Sequence, residues 1–127
     1  MKARLGLGLL LVLHGLAHIA IGTGVQDAPY HGVAGWLPAR VSVVLGTLLF
    51  LLVTPGFVAA GLGVWNVPGL RRIWPALVKT CVLASFLLFA LAAPPAGQLM
   101  VGLFLDLAVL AFSDILGADT EPRRRTT

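Results

Sequence analysis

Four stretches of almost unbroken apolar residues, beginning at Leu5, Val41, Pro75 and Leu99, take up most of this 127-residue chain. Each is close to the roughly 17 to 25 residues that carry a helix across about 30 Å of hydrocarbon. With 58% hydrophobic and only 11% charged residues, the chain has too little polar surface to cover a water-soluble domain of its size. An open sheet would leave backbone groups unpaired in lipid, and no alternating segments of about ten residues point to a barrel. The expectation is an all-α fold, a four-transmembrane-helix bundle forming one membrane domain. Its helices fall at about residues 5–22, 41–64, 75–92 and 98–116, with a tail over 117–127. Lys2 and Arg4 ahead of an apolar core also describe a secretory signal peptide. The run they precede carries two histidines and no small-residue cleavage site before the polar loop, so it reads as a span.

Lysines and arginines near the ends of the spans set orientation. Lys2 and Arg4 precede the first helix, Arg71 and Arg72 lie between the second and third, and Arg123, Arg124 and Arg125 follow the fourth. The connection over 22–40 carries only Arg40, and that over 92–98 carries no charge. Both termini are therefore expected in the cytoplasm (N-in/C-in), in a multi-pass protein of the cell inner (plasma) membrane. The net charge of +4 becomes an orientation signal with some attraction to anionic headgroups. Three arginines in the tail make no groove-reading element, so no nucleic-acid partner is expected. The partners expected are the lipid bilayer and either other membrane subunits or further copies of the chain.

The loop around Asp27, Tyr30, His31 and Trp36 is rich in Gly and Pro and reads as an irregular connection, with Tyr30 and Trp36 at headgroup level. Trp65 and Trp74 flank a tight turn and read as a second pair of interfacial anchors. Pro75 suits the first turn of the third helix, and Pro55-Gly56 predicts a bend in the second. Gly56 with Ala60, Ala59 with Gly63, and Gly8 with Val12 one turn on offer places for helices to approach closely. Cys81 is single, which excludes an internal disulfide and a cysteine metal cluster. It reads as a small packing residue.

The sharpest feature is Asp106, near the centre of the last run, because an unpaired carboxylate in hydrocarbon costs several kcal/mol. His14 lies about nine residues into the first span, or roughly 13 Å at 1.5 Å per residue, and Asp106 about 10 Å from the outer end of the fourth. Antiparallel neighbours would bring the two to similar depth, with Thr54 and Ser85 near the midplanes of the other two helices. The predicted intramembrane polar cluster is His14, His18, Thr54, Ser85 and Asp106, with His14 and Asp106 meeting directly or through water. An imidazolium neighbour favours the carboxylate and burial favours the neutral acid. At the cytoplasmic interface Asp114 is within snorkelling reach of Lys79 or Arg4, and a Lys79–Asp114 ion pair is expected.

His14 and His18, four apart, share one helix face and could hold a metal ion from one side. The segment lacks an intervening Glu and any third ligand beyond Asp106, so no metal site is assigned. Adjacent turns of one helix cannot supply both axial ligands of a haem, though either histidine could supply one. No cofactor is assigned; quinone and haem stay open. A structural hydrogen-bonded cluster ranks ahead of a proton, quinone or substrate site, and that ahead of metal or haem. No Ser-His-Asp arrangement, phosphate loop or carboxylate pair appears at catalytic spacing, and no catalytic residue is assigned.

The opening of the chain, from Arg4 through His14-Gly15-Leu-Ala-His18, resembles the first helix of the DoxX-like family of small bacterial membrane proteins. It also resembles four-helix proteins with a His-Gly-Leu-Ala-His first helix, a Gly56-Phe-Val-Ala-Ala-Gly-Leu-Gly63 segment and an acidic fourth span like Gly102-Leu-Phe-Leu-Asp106. The DoxX-like resemblance implies membrane redox work with quinones. Of that pattern, His14 and Gly15 match, while His18 stands where a basic residue is common. Two functional expectations follow. One is an accessory or interaction subunit whose polar cluster fixes helix register; the other is a quinone-linked redox subunit or a proton-coupled small-solute transporter.

Overall fold

The computed structural model describes residues 2–25, 37–92 and 96–118. Four helices make up almost all of it: α1 (Lys2–Val25), α2 (Ala39–Val64), α3 (Trp74–Ala92) and α4 (Ala96–Ala118). Among the described residues there is no strand. All four helices are long and apolar enough to cross a membrane, so backbone hydrogen bonds in hydrocarbon can be made within one segment, except the one that Pro55 removes from α2. The helices overrun the apolar stretches by up to three residues, because the backbone ladder continues through polar residues where the side chains can reach the interface. α4 accordingly takes in the first two residues assigned to the tail. The loop residues Asp27, Tyr30, His31 and Trp36 and the arginines of the tail lie outside the described residues.

α1 packs on α2, α2 on α3, α3 on α4, and α4 returns to α1, with the α1–α4 seam the sparsest of the four. The inward faces share one spacing. Leu7, Leu11, His14 and His18 are buried on α1; Val53, Phe57, Ala60 and Val64 on α2; Trp74, Val78, Cys81 and Ser85 on α3; Gly102, Asp106, Val109 and Ser113 on α4. Steps of four, three and four residues repeat in every stripe, the 3.5-residue seam of a left-handed bundle. The opposite faces are also apolar: Leu5, Leu9, Leu13 and Leu16 on α1, and Phe104, Leu107, Phe112 and Ile115 on α4, are all exposed. In lipid such a surface is solvated, and the inward stripe is marked by its small and polar members rather than by greater hydrophobicity.

Close approach of α1 and α2 depends on glycines. A Cβ on Gly15 would lie 2.8 Å from the Thr54 carbonyl oxygen, and one on Gly61 would lie 2.7 Å from the Gly8 carbonyl oxygen. Of the small pairs marked in the sequence, Gly8 and Val12 meet Gly61 at this seam, whereas Gly56 faces Cys81 and Gly63 faces Trp74 and Leu70. α2 runs unbroken through Pro55, whose ring nitrogen cannot donate to the Leu51 carbonyl.

The turn between α2 and α3 closes as a Schellman motif. Asn66 takes a left-handed conformation (φ 64°), Val67 N–H donates to Leu62 O at 3.1 Å and Asn66 N–H to Gly63 O at 3.0 Å, so the last carbonyls of α2 are satisfied. Trp65 remains partly exposed, with its indole N–H 3.4 Å from the Leu5 carbonyl. Trp74 is not the expected interfacial anchor. It is 4% exposed and packs where Gly63 leaves room, because it starts the inward stripe of α3.

Candidate functional site

Two stripes bring the central polar residues together across the α1–α4 seam. His14 Nε2 lies 2.8 Å from Asp106 Oδ1, joining positions 92 residues apart. This is a full-strength hydrogen bond by distance, and His14 is 5% and Asp106 0% exposed. At this separation a proton can pass between nitrogen and oxygen with little movement of heavy atoms, since 2.6–3.2 Å is the working range of acid–base partners.

His18 stands one turn further along α1, its ring 5.0 Å from that of His14 and nearly perpendicular to it. It lies almost parallel to Phe57 at 6.0 Å and faces Phe89 at 6.1 Å. Phe57 also meets the His14 ring edge-on at 4.7 Å. The two phenyl groups therefore hold both imidazoles in place without offering a hydrogen-bond partner. Neither phenylalanine stands out in the sequence as a site residue. The signal that could have found Phe57 is the four-three-four spacing through Val53, Ala60 and Val64.

The polar atoms here are incompletely paired. Asp106 Oδ2, His14 Nδ1, both nitrogens of His18, Thr54 Oγ1 and Ser85 Oγ are buried with no hydrogen-bond partner among the described residues. Thr54 and Ser85 are thus inside the bundle, but neither is hydrogen-bonded to the His14–Asp106 pair. Groups of this kind are ordinarily paired, because each desolvated and unbonded polar atom costs free energy. Four of the six belong to the adjoining His14, His18 and Asp106 side chains, a concentration that apolar packing alone does not account for.

A cleft of about 330 Å³ opens beside the pair. His14, Ala17 and His18 form its α1 wall, Phe89 comes from α3, and the α4 wall runs from Gly97 to Leu105 through Gly102. The small side chains at 17 and 97 leave space between the two walls, and Gly102 admits the Phe89 ring. A second hollow, about 380 Å³, lies in the α2–α3 turn beside Asn66, Arg71 and Arg72. Near the end of the bundle where α1 starts and α4 finishes, Lys79 Nζ meets Asp114 Oδ1 at 3.0 Å with both side chains 59% exposed, so this expected ion pair forms at the surface. Among the described residues no three metal-ligating side chains converge. Cys81 is buried and free.

No family model, curated protein or solved structure matches this chain.

Proposed function

We propose that this small multi-pass membrane protein exchanges protons at the His14–Asp106 pair with a molecule bound in the adjoining α1–α4 cleft. The observation that carries the reading is a fully buried carboxyl group, hydrogen-bonded at 2.8 Å to an imidazole that itself lines a cleft. An intramembrane acid that reaches a cavity through a hydrogen-bonded imidazole is suited to a proton relay. His14 takes a proton from the bound molecule at Nδ1, the nitrogen not bonded to Asp106, and passes its Nε2 proton to Asp106 Oδ1; the reverse transfers return the proton through His14 to a molecule in the cleft. The DoxX-like resemblance makes a quinone the exchange partner, in a redox subunit that works beside other membrane proteins. For a quinone the fit lies in apolar cleft walls together with imidazole nitrogens able to bond a carbonyl oxygen. A proton-coupled small solute is the alternative within the same reading.

One observation favours a second reading. The pair bridges the sparsest seam of the bundle, where a polar pin would set the register of α1 against α4 in an accessory subunit with no chemistry of its own. Infrared difference spectra of the protein in nanodiscs, taken between a bound quinone and its reduced form, separate the two. Proton exchange predicts a carboxyl band in that difference that disappears in Asp106→Asn without loss of unfolding stability. A spectrum unchanged by Asp106→Asn, together with a loosened bundle in Asp106→Leu, refutes exchange and leaves the pin.

A further inference from the structure

We propose that the α1–α4 cleft is a binding site for a neutral, lipid-soluble molecule with a carbonyl or hydroxyl head. The molecule enters sideways from the bilayer between α1 and α4, and its head hydrogen-bonds to His18. This rests on the reading of the cleft as an exchange site and adds to it the chemistry of the ligand, the residue that holds it and the route it takes.

His18 is the observation with most weight. It is 2% exposed, neither ring nitrogen has a hydrogen-bond partner among the described residues, and it lines the cleft. A neutral imidazole offers one donor and one acceptor. A carbonyl oxygen satisfies the donor, and a hydroxyl can satisfy either. Phe57 and Phe89 lie against the ring, and its two nitrogens, buried in the cleft wall, are the atoms of the side chain still without a partner among the described residues; a ligand head reaches them by displacing the apolar groups that cover them. His14, in contrast, already commits Nε2 to Asp106.

The lining selects against water-soluble solutes. Among the described residues, Gln98 is the one polar side chain on the cleft wall apart from the two imidazoles, and no Asp, Glu, Lys or Arg takes part. A sugar, an amino acid or an inorganic ion would surrender its hydration with almost nothing in return. An apolar tail loses nothing on moving from acyl chains to such a wall. The volume is at the lower end of the range for small-molecule pockets, which suits a slender head.

The route follows from the rim. Ala17 and Val101 are exposed at its edge, on α1 and α4. Val101 is two residues into the apolar run that begins at Leu99, about 3 Å along the helix axis, so the mouth opens at the edge of the hydrocarbon layer. The seam it opens through is the least packed in the bundle. A molecule dissolved in the membrane meets this opening without crossing a polar surface.

The test uses the full chain with ¹⁵N-labelled histidine in lipid nanodiscs, with 2-decanone, 1-decanol and decane as probes. Expected is a saturable shift of the His18 nitrogens with the ketone and the alcohol and none with decane. Ala17→Trp, at an exposed rim position, should weaken the ketone response at least tenfold while the His14 signals keep their wild-type values. His18→Phe, which preserves a planar ring, should weaken it similarly, read at His14. The absence of a saturable shift with either polar probe overturns the proposal. So does an equal response to decane, or a response to glycerol or lactate that the ketone does not match. The infrared carboxyl band reads proton exchange separately. A band that behaves as expected beside silent His18 nitrogens removes the ligand assignment alone, whereas a missing band beside a shifting His18 removes proton exchange alone.

Discussion

Replacing Gly15 by alanine, with Gly6→Ala as its control in the same helix, tests how closely α1 and α2 approach. At position 15 the new Cβ would sit 2.8 Å from the Thr54 carbonyl oxygen, 3.1 Å from Phe57 Cβ and 3.2 Å from Val58 Cγ2. The carbonyl contact falls about 0.6 Å short of ordinary van der Waals separation, and a backbone oxygen cannot rotate aside. The two helices must therefore part. Overpacking of this kind costs about 1–3 kcal/mol. At position 6 nothing lies within 4 Å of the new Cβ, so no packing cost arises. Both substitutions gain the same roughly 1 kcal/mol of helix propensity, which cancels when one is compared with the other. Gly15→Ala is thus expected to be about 1–3 kcal/mol less stable than Gly6→Ala. Denaturant titration in mixed micelles, followed by the fluorescence of buried Trp74 and by circular dichroism, measures the difference. A gap below about 0.5 kcal/mol refutes the close approach and, with it, the α1 register that sets the neighbouring His14 against Asp106.

Two further outcomes are expected. In a double-mutant cycle on His14→Phe and Asp106→Leu, each single change leaves a buried partner unpaired, so the double variant should be more stable than the sum of the singles predicts. The coupling should be about 0.6–1.7 kcal/mol if the pair is a neutral intramembrane hydrogen bond, and larger if it is an ion pair, since breaking a buried pair costs about 3–5 kcal/mol. Zero coupling in the same unfolding assay contradicts the contact. Lys79→Ala removes an ion pair between two half-exposed side chains and should change stability by no more than about 1 kcal/mol, less in high salt. A loss of several kcal/mol would show that the pair is shielded from solvent.

The polar residues of the bundle show where the limits of sequence reasoning lie. Depth arithmetic along two antiparallel helices was enough to pair His14 with Asp106, because rise per residue is constant and the membrane forces the helices to cross it. The same arithmetic places Thr54 and Ser85 at similar depth. Depth alone does not fix rotation about the helix axis, and in the structure both hydroxyls are buried without bonding to the pair. Trp74 makes the same point at an interface. Its position at the end of an apolar run matches an anchor, and only the phase of the α3 stripe turns it inward.

The number of membrane-length apolar helices, their approximate ends and the costly carboxyl group in the fourth are legible in the chain alone. Unbroken hydrophobicity over membrane length leaves the backbone few other options. The tertiary structure decided which face of each helix turns inward, and so the walls of the cleft, the phenyl contacts of His18 and the glycines that admit a neighbouring backbone. In water the apolar face would have announced itself by contrast with a polar one. In lipid both faces are apolar, and the inward one is chosen by small differences in shape and by the few polar atoms that need company.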